Sequence, residues 1–249
     1  MGAAPYADAV ATVLLVRHGR STANTSGVLA GRAPGVLLDD TGHEQVARTG
    51  ERLAALRLAA VVTSPLERCR ETAKAVGLRQ EPRLTPVRDK ALAEVDYGDW
   101  TGRKLSELAK EPLWKVVQGH PSAATFPGGE SMAAMATRAV AAVRSWDARI
   151  EAEHGPSALW VAVSHGDLIK AILADALGVH LDSFQRIVVD PASVSVIRYT
   201  PGRPFVLMSN THAGDLGGLN APPPKRGRKR TATSSDAPVG GGAGIGSKA

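Results

Sequence analysis

The chain has 249 residues, 43% of them hydrophobic and only 4% aromatic, with a formal net charge of +6. This allows one large domain or two small ones, with a core of Ala, Val and Leu. One cysteine, Cys69, excludes an intrachain disulfide, and no apolar run approaches the roughly 18 residues that cross a bilayer.

Residues 1–10 read as a loose lead-in without the basic and apolar regions of a signal peptide. Met1-Gly2 begins like a myristoylation site, but Tyr6 breaks the pattern. Four apolar residues, Val13 to Val16, predict a short buried strand over 12–16 that ends in Arg17-His18-Gly19. Thr41 and Glu44 have capping-box spacing and predict a helix over 42–56. A second buried strand covers 59–63. Ser64-Pro65 then predicts an N-cap and first turn for a helix through Arg68 and Thr72 to Gly77. Residues 79–91 read as irregular and 92–102 as a glycine-flanked loop. A short helix over 105–115, a turn at 127–131 and an Ala-rich helix to about residue 153 follow. A third buried strand over 158–163 runs into Ser164-His165-Gly166-Asp167. A helix over 168–177 ends at Gly178, and two more strands cover 194–199 and 205–208.

This alternation predicts a three-layer α/β/α domain over 1–220 with a mostly parallel central sheet. Ligands of such sheets sit at the carboxyl ends of strands. Three strand ends bring Arg17, His18, Arg68 and His165 to one edge. Arginine offers a forked donor matched to phosphate oxygens, and a neutral imidazole is a nucleophile.

Arg17-His18-Gly19 with Ser21 and Asn24, Ser64-Pro65-Leu66-Glu67-Arg68 through Thr72, Glu94 with Tyr97-Gly98, and Ser164-His165-Gly166 stand in a recognisable order. Over about 12–210 the sequence resembles the histidine phosphatase superfamily, in its phosphoglycerate mutase-like branch. The resemblance implies that His18 takes the phosphoryl group, that Arg17, Arg68, His165 and Asn24 bind phosphate, and that Glu94 is the general acid. Asp96 is the alternative acid. It implies a metal-independent phosphomonoesterase acting on a small phosphorylated metabolite. The alternatives are a phosphomutase and a phospho-ligand-binding protein with little turnover.

Departures from the family pattern are Arg20, where Glu or Gln is frequent, Thr101, where many phosphatases have Glu, and Asp167, where mutases often have Asn. Residues 102–127 lack the adjacent arginines with which mutases grip a carboxylate, which favours a phosphatase. His120, His154, His180 and His212 lack metal-ligand spacing, so neither metal nor cofactor is expected. Cys69 is expected in the core and His43 on the surface. Residues 221–249 hold six basic residues against Asp236, so they carry +5 and leave the remainder at +1. This Pro/Gly/Ser-rich tail is expected to be disordered, with nucleic-acid contact the less favoured use of its charge. A cytoplasmic location without membrane contact is expected, and homo-oligomerisation is left open.

Overall fold

The computed structural model describes residues 11–212 and Gly240. The proposed tail falls outside the described residues, apart from Gly240. Six strands form one sheet: β1 (Thr12–Arg17), β2 (Leu58–Thr63), β3 (Val87–Arg88), β4 (Leu159–Ser164), β5 (Val194–Arg198) and β6 (Phe205–Thr211), in the order β3-β2-β4-β1-β5-β6. The first four in that order are parallel. β5 runs antiparallel to β1, and β6 to β5. The sheet is therefore mixed but mostly parallel.

Every residue of β1 is buried. Successive side chains of a strand point to opposite faces, and β1 fills both. Val13 and Leu15 join Trp160 and Ala162 beneath α6 (Met132–His154) and α7 (Gly166–Leu177). Leu14 and Val16 join Val161 and Val163 against α2 (Asp40–Leu53) and α3 (Glu67–Gly77). Each such side chain contributes about 1.5–3 kcal/mol on burial, and covering both faces accounts for the uninterrupted apolar run. In α6 the buried Met132, Met135, Ala139, Ala142 and Val143 recur at three- and four-residue intervals.

Several local expectations change. The cap of α2 is Asp39, whose Oδ1 accepts from the Gly42 amide at 2.7 Å, so Thr41 lies inside the helix. Leu66 occupies the N-cap of α3 and makes no side-chain cap bond. The expected single helix over 105–115 is two, α4 (Leu105–Leu108) and α5 (Pro112–Gly119). Proline lacks an amide hydrogen and clashes with the preceding turn, so Pro112 begins a helix and cannot continue one. A further helix, α1 (Thr22–Ser26), follows Ser21, whose side chain and that of Asn24 form a reciprocal cap. Among the described residues, no helix is long and apolar enough to cross a membrane.

Candidate active site

Arg17 pairs with Ser164 in the β1–β4 register, and Thr63 pairs with Val163. The carboxyl ends of β1, β2 and β4 are thus level. His18 extends the ladder by one bond, its amide donating to Ser164 O at 3.0 Å. Behind it, the Gly19 amide donates to Thr72 Oγ1 at 3.2 Å, which ties the turn to α3. On its other side the turn meets α2 backbone to backbone. A Cβ on Gly19 would lie 2.7 Å from Gly42 O, and one on Gly42 would collide with Arg20 O.

Arg17, His18, Arg68, Glu94 and His165 are all buried, none more than 3% exposed. His18 Nδ1 lies 2.7 Å from Gly19 O. A carbonyl only accepts, so Nδ1 carries the hydrogen and Nε2 holds the lone pair. Arg68 Nε donates to that Nε2 at 3.3 Å. Burial, then the charges of Arg68 and Arg17, holds His18 well below the usual imidazole range, so the ring is neutral. His165 has the opposite tautomer. Its Nδ1 accepts from Arg68 Nη2 at 3.1 Å, which leaves Nε2 to donate to Ser64 Oγ at 2.8 Å. Burial and Arg68 also depress its pKa well below the usual value.

Arg17 Nη1 donates to Val189 O at 2.8 Å. Arg68 also donates to Gly31 O at 2.9 Å, yet its Nη1 is buried with no hydrogen-bond partner among the described residues. A buried guanidinium nitrogen without an acceptor is costly unless an anion supplies one. It borders a cavity of about 40 Å³ lined by His18, Asn24, Arg68, Glu94, Tyr97 and Leu105, among others.

Glu94 Oε2 is 3.9 Å from His165 Nδ1. Its carboxyl is pushed up to about 7, by burial first and the charge of Asp167 second, against opposing effects of Arg68, the Val95 amide and Arg17. A carboxyl in that range can hold a proton and release it near neutrality. Asp96 is different: it is half-exposed and pairs with Arg32 at 3.3 Å, outside the cavity lining. Arg20 likewise turns away and pairs with Asp39 at 2.7 Å, so it adds no charge to the cavity wall. Asn24 borders the cavity while its Oδ1 accepts from Ser21. Among the described residues, no three His, Cys, Asp or Glu side chains gather as a metal ion would require.

Around this cavity stand a neutral imidazole, the Arg68 guanidinium and a protonatable carboxyl, with Arg17 and His165 buried outside its lining, and such a set can accept and release a phosphoryl group. The family model described as histidine phosphatase superfamily (branch 1) matches residues 13–212. The chain belongs to this superfamily. Its relatives include the acid phosphatase of Mycobacterium tuberculosis, 32% identical over 76% of this chain and 87% of that protein. They also include phosphoserine phosphatase 1 of Hydrogenobacter thermophilus, 29% identical over 82% of this chain and 95% of that protein. A Klebsiella pneumoniae protein named "Probable phosphoglycerate mutase GpmB" is 30% identical over 84% and 95%. Among solved structures, Bacillus stearothermophilus YhfR aligns with a TM-score of 0.70 and 28% identity over 80% of this chain and 96% of that one.

In this histidine phosphatase superfamily member, several contributors to the site carry no sequence signal of their own. Arg138 donates to Ala91 O and Glu94 O and forks onto Glu130, while Arg32 donates to Glu94 O and Glu130 from outside. Ser64, expected to cap α3, instead receives the His165 hydrogen. Cys69 is buried as expected, with Sγ 3.4 Å from His165 Nε2. Gly240, from the segment expected to pack on nothing, lines the cavity and donates its amide to Asp167 Oδ2 at 3.0 Å.

Proposed function

We propose that the protein is a metal-independent phosphomonoesterase that works through a phosphohistidine on His18. The observation that carries this reading is the locked His18 tautomer. With Nδ1 held by Gly19 O, the lone pair is on Nε2 at the cavity, where it accepts from Arg68 and is freed as the incoming phosphate takes that guanidinium. Nε2 attacks phosphorus in line, an N–P bond forms and the P–O bond to the leaving group breaks. Arg17 and Arg68 neutralise the equatorial oxygens, His165 adds a neutral ring donor once its Nε2 hydrogen turns from Ser64 to the phosphate, and Asn24 adds an amide donor at the rim. Glu94 gives its proton to the leaving oxygen. It then takes a proton from water as that water attacks phosphorus, so the N–P bond breaks, inorganic phosphate leaves and Glu94 is protonated again. A small phosphorylated metabolite is the substrate class.

Hydrolysis is favoured over mutase chemistry by the segment that would grip a phosphoglycerate. Between 102 and 127 the single arginine, Arg103, is spent on Glu111 at 2.7 Å. Acid-labile label trapped on His18 from labelled phosphomonoester, absent in His18→Ala, is the expected result. Label on His165 or a serine overturns the reading. Primed mutase turnover faster than phosphate release on a shared substrate overturns the hydrolase part alone.

A further inference from the structure

Asp167 is a buried carboxylate to which the mechanism above gives no role. It stands in the first turn of α7, two residues after His165, and is 0% exposed. Tyr97, which shares the loop of Glu94 and lines the same cavity, donates its hydroxyl to Asp167 Oδ2 at 2.8 Å. Asp167 Oδ1 is buried without a hydrogen-bond partner among the described residues, and Lys170 Nζ stands 3.9 Å from it. Lys170 is itself nearly buried and donates to Gln185 at 2.9 Å. The Gly240 amide also donates to Asp167 Oδ2 at 3.0 Å, so one carboxyl oxygen is fixed behind the acid loop while the other stands near Lys170 without a hydrogen bond.

We propose that Asp167 is a positioning residue which, held by Tyr97 and the first turn of α7, keeps the proton on Glu94 until the leaving oxygen takes it. This rests on the reading of Glu94 as the general acid. Burial favours the protonated acid, and the Asp167 charge adds to it against the arginines that bind phosphate. The groups around Glu94 are Arg17 from the β1 end, Arg68 and Cys69 from α3, and His165 from the β4 end, with His18 across the shared cavity. Asp167 and Lys170 face it from α7 and Tyr97 from its own loop. Arg138 of α6 reaches its carbonyl. Asp167 favours the protonated form of Glu94, against Arg68 and Arg17.

The sign is fixed by the proton's role. Activity needs protonated Glu94, so kcat/KM falls as pH rises through its pKa. Removing the negative charge lowers that pKa, and removing the Lys170 charge raises it. The pH dependence of kcat/KM is measured on one phosphomonoester for the full chain, Asp167→Asn, Lys170→Met and Glu94→Gln, so substrate ionisation is common to all. In Asp167→Asn the alkaline limb should move down by about one unit, about tenfold in rate above the limb, with little change well below it. In Lys170→Met it should move the opposite way. A uniform fall at every pH, with both limbs unmoved, overturns the proposal and leaves Asp167 a packing residue. If Asp167→Asn does not fold, the direction of the Lys170→Met shift decides alone: upward supports the proposal, and no shift or a downward one overturns it. Glu94→Gln separates the two readings. If it keeps the limb, the acid assignment itself fails; if it loses the limb while Asp167→Asn leaves it in place, only the role of Asp167 fails.

Discussion

Two buried carboxyl groups in this molecule are pushed up to about 7, both chiefly by burial. Glu94 is at the carboxyl edge of the sheet. Asp147 is on α6, where its Oδ1 accepts from the Trp160 indole at 2.8 Å and its Oδ2 is buried without a partner among the described residues. Glu94 borders a cavity with a neutral histidine and an arginine that has a spare donor. Asp147 borders Trp160, whose ring centroid lies 6.5 Å from that of Trp146. A raised pKa therefore marks loss of water and does not by itself mark catalysis. What separates the two groups is whether a reacting oxygen can reach the proton. The second difference is in support. Glu94 is fastened through its backbone carbonyl by Arg32 and Arg138 and through Oε1 by the Val95 amide, which leaves Oε2 able to exchange a proton, whereas Asp147 is held through Oδ1 by the Trp160 indole.

The sharpest break in this comparison is Glu94→Gln. It should lower kcat on an ester with a poor leaving group by about 10²–10⁴-fold, and much less on one whose leaving oxygen needs no proton. Equal losses on both esters would remove Glu94 from the acid role. Arg138→Ala tests the fastening. It deletes the bonds to Ala91 O and Glu94 O and leaves Glu130 with Arg32 alone of its two arginines, and a lost hydrogen bond to a buried acceptor costs about 1–3 kcal/mol. A fall in Tm together with a roughly tenfold loss of kcat is expected, about 1.4 kcal/mol of barrier. Unchanged kcat would show that Arg32 alone holds the loop.

The smallest effect belongs to Asp147→Asn, which should leave kcat unchanged. A folded-state pKa above the ordinary carboxylate value gives stability that is present at low pH and lost as pH rises toward about 7. The variant should flatten that limb and raise Tm at neutral pH by about 2–4 °C, read from thermal melts across pH. A variant less stable at neutral pH would mean that the charge itself is used.

The sheet and the strand-end cluster were legible because their signals are local. Val13 to Val16 is an apolar run that a two-faced strand requires, and Arg17-His18-Gly19 is polar where a core strand should not be. The acid loop was legible only in its acid. Glu130, Arg138 and Arg32 lie 36, 44 and 62 residues from Glu94, and nothing in spacing or periodicity joins them to it. Tyr97 and Asp167 are likewise 70 residues apart. The helix α1 has no periodic signal, because five residues make too little of a period. Asp39 and Thr41 are both good cap residues for α2, and only the bond to Gly42 distinguishes them.

The contact of Gly19 with Gly42 has a consequence for how such a protein can diversify. The turn that carries His18 and the first turn of α2 meet with only hydrogen atoms between their backbones. Neither partner has an atom left to remove, so a methyl group added to one cannot be compensated by trimming the other. Helix and turn are inherited as one part, and drift in α2 is confined to faces that do not press on that turn. New preferences for the leaving group must enter elsewhere, through Ala23, Val28, Leu29 and Leu105, which line the cavity and take no part in the glycine contact.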